Sequence, residues 1–256
     1  MNKLTKLLTD KKELLSIYYT AGFPTKESTG DIALKLEEEG ADIIELGMPY
    51  SDPVADGPVI QNSNKIALDN GMSVHLLFQQ LSEFSDKITI PVILMGYINP
   101  VLQYGLENFL KKCQEHKISA LILPDLPLEV YQKECSTLFE KYNIPLIFLI
   151  SPNTPEERIR KIDSMVAPFV YMVSSSSITG KEGGFSEEQI AYFKRIDSLN
   201  LKTPRMIGFG ISNAATFESV CQYSRGAIIG SAFIRQLEKS TEEKDIQNFI
   251  HQFRKK

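Results

Sequence analysis

Residues 91–124 read PVILMGYINPVLQYGLENFLKKCQEHKISALILP, and this stretch decides the fold class. Its two ends, Pro91–Gly96 and Ala120–Pro124, are short and almost wholly apolar. A strand covered on both faces reads this way, and strands of parallel sheets are covered on both faces. Between them, Leu106–His116 carries charge on one side and places Phe109, Leu110 and Cys113 on the other. That spacing is helical. Strand, helix and strand in this order form a βαβ unit.

The same alternation recurs along the chain. Further apolar runs stand at Leu15–Thr20 (LSIYYT), Asp42–Leu46 (DIIEL), Pro145–Ile150 (PLIFLI), Pro168–Val173 (PFVYMV), Arg205–Phe209 (RMIGF) and Gly226–Gly230 (GAIIG). Helical period returns in Ser28–Gly40, which sets Thr29, Ile32, Ala33 and Leu36 on one face, and in Tyr131–Tyr142 and Ser212–Tyr223. The pattern predicts an α/β fold of eight strands in 256 residues, which is the length and count of a closed (β/α)8 TIM barrel. An open doubly wound sheet usually shows a GxGxxG turn after its first strand. Here Ala21-Gly22-Phe23-Pro24 occupies that place. Leu4, Leu7 and Leu8 predict a short extra N-terminal helix. No linker or composition shift divides the chain, so residues 1–256 are expected to form one barrel domain. The long segments Gly47–Ser73 and Ser174–Ser186 then fall at the C-terminal face of the strands, where barrels build their sites.

Composition narrows the function. With 28 Lys+Arg against 32 Asp+Glu the formal charge is −4, which gives no basic footprint for nucleic acid and none for anionic membranes. No apolar run approaches the ~18 residues of a membrane span. The opening MNKLTKLLTDKKELL is charged throughout and lacks a signal-peptide core, so a cytoplasmic protein is expected. Three scattered Cys and three scattered His form neither a disulfide framework nor a metal-ligand pattern.

Glu45 is the most informative position, because both faces of its strand are apolar. Burial raises a Glu pKa, and a carboxyl poised near neutrality at a barrel mouth suits general acid–base work. The alternative on position alone is a Glu paired with a nearby Arg or Lys, or one that ends the strand in solvent. The loop Pro49–Pro58 (PYSDPVADGP) holds Asp52 and Asp56 close by, stiffened by three prolines. Asp before Pro or Gly is a common turn former, but next to Glu45 one of the two is expected to be catalytic, since paired carboxyls in unlike environments supply acid and base together. Gly208-Phe209-Gly210-Ile211-Ser212 and Gly230-Ser231 follow strands 7 and 8, where barrels hold phosphate. Glycine permits close approach of backbone N–H groups to an anion, or simply a tight turn. Ser231 is placed to cap the last helix or to donate to the phosphate. The Ser- and Gly-rich segment Ser174–Gly184 reads as a mobile lid over the site or as a plain surface loop, with Thr179 and Gly180 as its ligand contacts. Tyr171 walls a pocket or fills core.

Ile44–Gln61 (IELGMPYSDPVADGPVIQ) resembles the signature of the tryptophan synthase alpha chain family. Tyr19–Pro24 (YTAGFP), Pro124–Pro127 (PDLP), Ile178-Thr179-Gly180, Gly208–Ser212 and Gly230–Ala232 match in order and spacing, so the resemblance spans essentially the whole chain. It implies a barrel that cleaves indole-3-glycerol phosphate to indole and glyceraldehyde 3-phosphate, a retro-aldol lyase in tryptophan biosynthesis. It implies that Glu45 protonates indole C3 and takes the hydroxyl proton of the glycerol side chain, while Asp56 holds the indole N–H. Gly180, Gly210, Gly230 and Ser231 would bind phosphate, Tyr18 and Tyr171 would line the indole pocket, and Thr179 would support the lid. The resemblance further implies a pyridoxal-phosphate beta chain as partner in an αββα assembly, the Asp52–Pro53 region facing it. No pyridoxal phosphate and no metal are expected in this chain. Two departures stand out: Ser175-Ser176-Ser177 where familiar members carry Arg-Ala-Gly, and Tyr50 in place of Phe. A sugar-phosphate isomerase barrel, or a non-catalytic barrel that activates a partner, are the competing readings.

Overall fold

Nine parallel strand segments close into a ring in a computed structural model that describes residues 2–165, 167–174 and 184–254. They occupy eight positions: β1 (Leu14–Thr20), β2 (Ile43–Gly47), β3 (Val92–Met95), β4 (Ala120–Ile122), β5 (Leu146–Ile147 and Leu149–Ile150), β6 (Val170–Val173), β7 (Arg205–Gly208) and β8 (Gly226–Ile229). Neighbours in sequence pair throughout, and β8 returns to β1 through Leu14↔Gly226 to Ile17↔Ile229. The fifth position, expected as one run, is two segments interrupted at Phe148. Leu146–Ile147 pairs with β4 and Leu149–Ile150 pairs with β6, so the ring closes across that one residue.

Helices clothe the ring. α1 (Lys3–Asp10) precedes it. α2 (Ser28–Glu38) follows β1, and α3 (Pro58–Asp69) with α4 (Val74–Phe84) follows β2. α5 (Ile98–Tyr104) and α6 (Leu106–Glu115) follow β3. The run after β4, α7, begins at Leu128–Val130, passes through a π-helical turn at Tyr131–Cys135 and ends as Ser136–Lys141. α8 (Glu156–Asp163), α9 (Glu187–Ser198), α10 (Ala214–Cys221), α11 (Ser231–Leu237) and α12 (Glu243–His251) complete the shell. Most boundaries fall within a residue or two of the sequence reading. The helix read from Ser212 starts later, at Ala214, because Asn213 adopts extended backbone and its side chain takes the Thr216 N–H as a cap.

Every residue of β1 is buried, and side chains alternate between the two sides of the ring. Tyr19 faces the helices, donating its hydroxyl to Thr29 O at 2.7 Å and meeting Phe233 edge-on. Ser16, Tyr18 and Thr20 therefore face the barrel interior, and Tyr18 stands beside Glu45 in the β1–β2 register. The N-terminal end of the ring is closed by charge. Asp42 accepts the Leu15 N–H at 2.8 Å and pairs with Lys11 and Arg254, which also binds Gly40 O at 2.7 Å. Asn2 caps α1 through the Leu4 N–H and donates to Ser119 O at 2.7 Å, fixing that helix against the start of β4. The opening is thus left at the C-terminal end. Among the described residues no helix is long and apolar enough to cross a membrane.

Candidate active site

A cavity of about 540 Å³ occupies the C-terminal mouth of the barrel. Glu45 and Asp56 line it together with Tyr18 and Tyr171, and Gly210, Gly230 and Ser231 line it from the β7 and β8 side. Seven of the nine residues singled out in the sequence thus share one space. The other two, Thr179 and Gly180, lie outside the described residues, as does most of the segment read as a lid.

Glu45 is 1% exposed, and neither carboxyl oxygen has a hydrogen-bond partner among the described residues. It does not end in solvent, and among the described residues no Lys or Arg pairs with it. Burial, with the charge of Asp56 added, pushes its pKa up to about 8. Asp56 is 9% exposed and is raised less, to about 6, since a hydrogen bond from Tyr97 offsets part of its burial. Near pH 7 the pair therefore holds one proton on Glu45 and one charge on Asp56. The neighbouring phenols are raised as well: Tyr18 and Tyr171 by burial and by these two carboxyls, so both remain neutral.

The loop between β2 and α3 turns Asp56 inward and Asp52 outward. Asp52 is exposed and accepts from Ser51 Oγ at 2.6 Å. Two contacts to Asp56 and one to its neighbour Ala55, none of them legible in the sequence, fix this turn. The Tyr97 hydroxyl donates to Asp56 Oδ2 at 3.0 Å and accepts the Ala55 N–H at 3.0 Å, while Gln61 Nε2 donates to Asp56 O at 2.9 Å. Asn64, buried in α3, accepts the Tyr50 N–H at 3.0 Å and holds the loop's start. Asp56 Oδ1 is buried with no partner among the described residues, as are both carboxyl oxygens of Glu45. Buried polar atoms are satisfied in most native structures, and such clusters of exceptions mark functional positions.

Across the cavity the backbone is shaped for close approach. Phe209 and Gly210 both hold positive φ, +72° and +78°. A non-glycine residue there is strained, and strain of this kind gathers at functional sites. Ser174 Oγ secures the turn by donating to Phe209 O at 2.7 Å. Ser231 is the first residue of α11 and Gly230 its N-cap, with no side-chain cap bond. The capping alternative for Ser231 therefore falls away, and the residue lines the cavity. The first N–H groups of a helix have no intrahelical acceptor. Arg235, one turn further on, and Ser212 also line this side and had not been singled out. No group of three or more His, Cys, Asp or Glu among the described residues is placed to hold a metal ion.

Residues 4–255 match the family model for the tryptophan synthase alpha chain. The chain is 52% identical over 254 residues to the tryptophan synthase alpha chain of Flavobacterium johnsoniae, covering 99% of this chain and 100% of that one. Among solved structures, the tryptophan synthase alpha chain from Legionella pneumophila superposes with a TM-score of 0.87 at 31% identity, over 99% of this chain and 96% of that one. The tryptophan synthase A-subunit of Pyrococcus furiosus gives a TM-score of 0.86 at 32% identity, over 95% and 98%.

Proposed function

The chain belongs to the tryptophan synthase alpha chain family, the alpha subunit of a tryptophan-biosynthetic lyase, and we propose that it cleaves indole-3-glycerol phosphate to indole and glyceraldehyde 3-phosphate in the cavity just described. The observation that carries this reading is the pair of buried carboxyls in one cavity, Glu45 with no hydrogen-bond partner among the described residues and Asp56 held by the Tyr97 hydroxyl; burial raises both, Glu45 further, which favours the proton on Glu45 and the charge on Asp56. Indole C3 must gain a proton before the C–C bond breaks, and a neutral Glu45 supplies it. The ring nitrogen becomes positive as the indolenine forms, and Oδ1 of an ionised Asp56, which has no partner among the described residues, accepts its N–H. Glu45, now charged, takes the hydroxyl proton of the glycerol side chain as the carbonyl of glyceraldehyde 3-phosphate forms.

Tyr18 and Tyr171 give the indole ring its flat walls. Amides around Gly210 and Gly230, the Ser231 hydroxyl and the cationic Arg235 suit a phosphate dianion at the other end of the substrate. Thr179 and Gly180 are proposed to complete that end from the lid. Pyridoxal phosphate is assigned to a beta chain partner. Val54, 83% exposed, and Leu102, 56% exposed, present bare apolar surface on the β2–α3 loop and α5. The beta chain is proposed to dock in an αββα assembly against the Asp52–Pro53 region, beside Val54. A cytoplasmic location and a single domain over residues 1–256 belong to the same proposal. The test is release of indole from indole-3-glycerol phosphate by the purified chain, alone and with a beta chain. Cleavage by the chain, raised by the partner, is the expected result; no cleavage in either arm refutes the reading.

A further inference from the structure

The two carboxyls of this site differ in their partners: among the described residues Asp56 has a hydrogen-bond donor and Glu45 has none. We propose that Tyr97 is a positioning residue that assigns the roles within the pair, holding the negative charge on Asp56, aiming Oδ1 at the ligand and so leaving the proton on Glu45. This rests on the reading of the pair given above.

The geometry is specific. Tyr97 follows β3 and is 3% exposed. Its hydroxyl uses both of its capacities on one loop, accepting from Ala55 N and donating to Asp56 Oδ2, each at 3.0 Å. Because the Ala55 N–H can only donate, the phenol proton is committed to Asp56. A hydroxyl that must donate favours the ionised form of the carboxylate it faces. The bond also consumes Oδ2 and fixes the rotation of the carboxylate, so that only Oδ1 is left for the ring nitrogen of a substrate. The ring itself is held by stacking on Tyr50, with centroids 5.1 Å apart and planes 28° apart. Burial and the charge of Asp56 keep Tyr97 protonated throughout the working range.

Among the described residues, the ionisable groups that act on Asp56 or are acted on by it are Glu45 on β2, Tyr18 on β1, Tyr171 on β6 and Tyr97 itself, with Asp125 beyond Tyr97; Arg235 stands elsewhere on the cavity wall. None of the groups coupled to Asp56 is a cation. Among the described residues the Tyr97 hydroxyl is thus the group that opposes protonation of Asp56 by burial. The charge it preserves there in turn raises Glu45. Losing the hydroxyl should draw the two titrations together, Asp56 upward and Glu45 downward.

The test is Tyr97→Phe, which keeps the ring on Tyr50 and deletes one oxygen. Chain carrying 13C at its Asp and Glu side-chain carboxyls is titrated by NMR, with the two signals assigned by their loss in Asp56→Asn and Glu45→Gln. The expected result is a rise of about one pH unit for Asp56 and a fall for Glu45. In steady-state assays of indole release, kcat should fall about tenfold, as expected for loss of an interaction worth ~1.4 kcal/mol, with the acid limb of kcat/KM moved upward. Titrations of both carboxyls that stay in place in Tyr97→Phe overturn the positioning role, whatever the activity. Shifted titrations in a chain that releases no indole support that role and refute the proposed reaction instead.

Discussion

Replacing Glu45 with Gln should stabilise the protein at alkaline pH while abolishing its chemistry. The carboxyl titrates at about 8 in the folded chain against 4.5 for an ordinary Glu. A group whose folded pKa is raised leaves stability intact below the unfolded value and removes it as pH climbs toward the folded value. One pH unit across that window is worth about 1.4 kcal/mol. Between pH 5 and pH 8 the native chain should therefore lose ~3 kcal/mol through this one residue. Glutamine keeps the shape and polarity of the protonated acid and does not titrate. Urea unfolding followed by circular dichroism, at matched ionic strength, would give the difference between Glu45→Gln and native chain at both pH values. The variant should lie close to native at pH 5 and lead it by ~3 kcal/mol at pH 8. An equal difference at both pH values would refute the burial argument, because a carboxyl reaching water titrates alike in folded and unfolded chain.

Other outcomes follow from the same structure. Asp56→Asn should lower indole release by at least ~100-fold and, by removing a charge that raises Glu45, bring the Glu45 titration below about 8; a Glu45 signal that does not move would contradict the coupling. Gly210→Ala meets nothing nearer than 3.6 Å but must adopt φ +78°, so it should cost about 1 kcal/mol of stability in urea unfolding and raise KM more than it lowers kcat. Asp42→Ala leaves the buried Leu15 N–H without its acceptor and removes the carboxylate that Lys11 and Arg254 share, and should cost about 2 kcal/mol, mainly through that N–H because both cations reach solvent; a stability within ~0.5 kcal/mol of native would mean the N-terminal closure contributes little.

The parts of the fold legible in the sequence are those fixed by local burial. Ile44, Leu94 and Ile122 sit in apolar runs because their strands are covered on both sides, and that alone marks them as parallel strands. Glu45 stood out for the same reason, as an acid where the run allowed none. What the sequence left open depends on partners far along the chain. Asp52 and Asp56 look alike as residues. They are told apart by the Tyr97 hydroxyl, 41 positions from Asp56, and no pattern within the loop encodes that distance. The break at Phe148 reflects how two neighbouring strands divide their hydrogen bonds with β5. The left-handed backbone of Phe209 is imposed by its surroundings, Ser174 among them. Arg235 could have been found: it follows Ser231 by four residues, one helical turn along the same face.

The pH dependence of kcat/KM for indole release, measured for native chain and for Glu45→Gln, tests the central claim most directly. That ratio reports the free enzyme's essential acid and base. The native profile should be a bell, with limbs near the values of about 6 for Asp56 and about 8 for Glu45, and Glu45→Gln should show no measurable cleavage at any pH. Near-native kcat/KM in Glu45→Gln would contradict the claim that this buried carboxyl carries the proton.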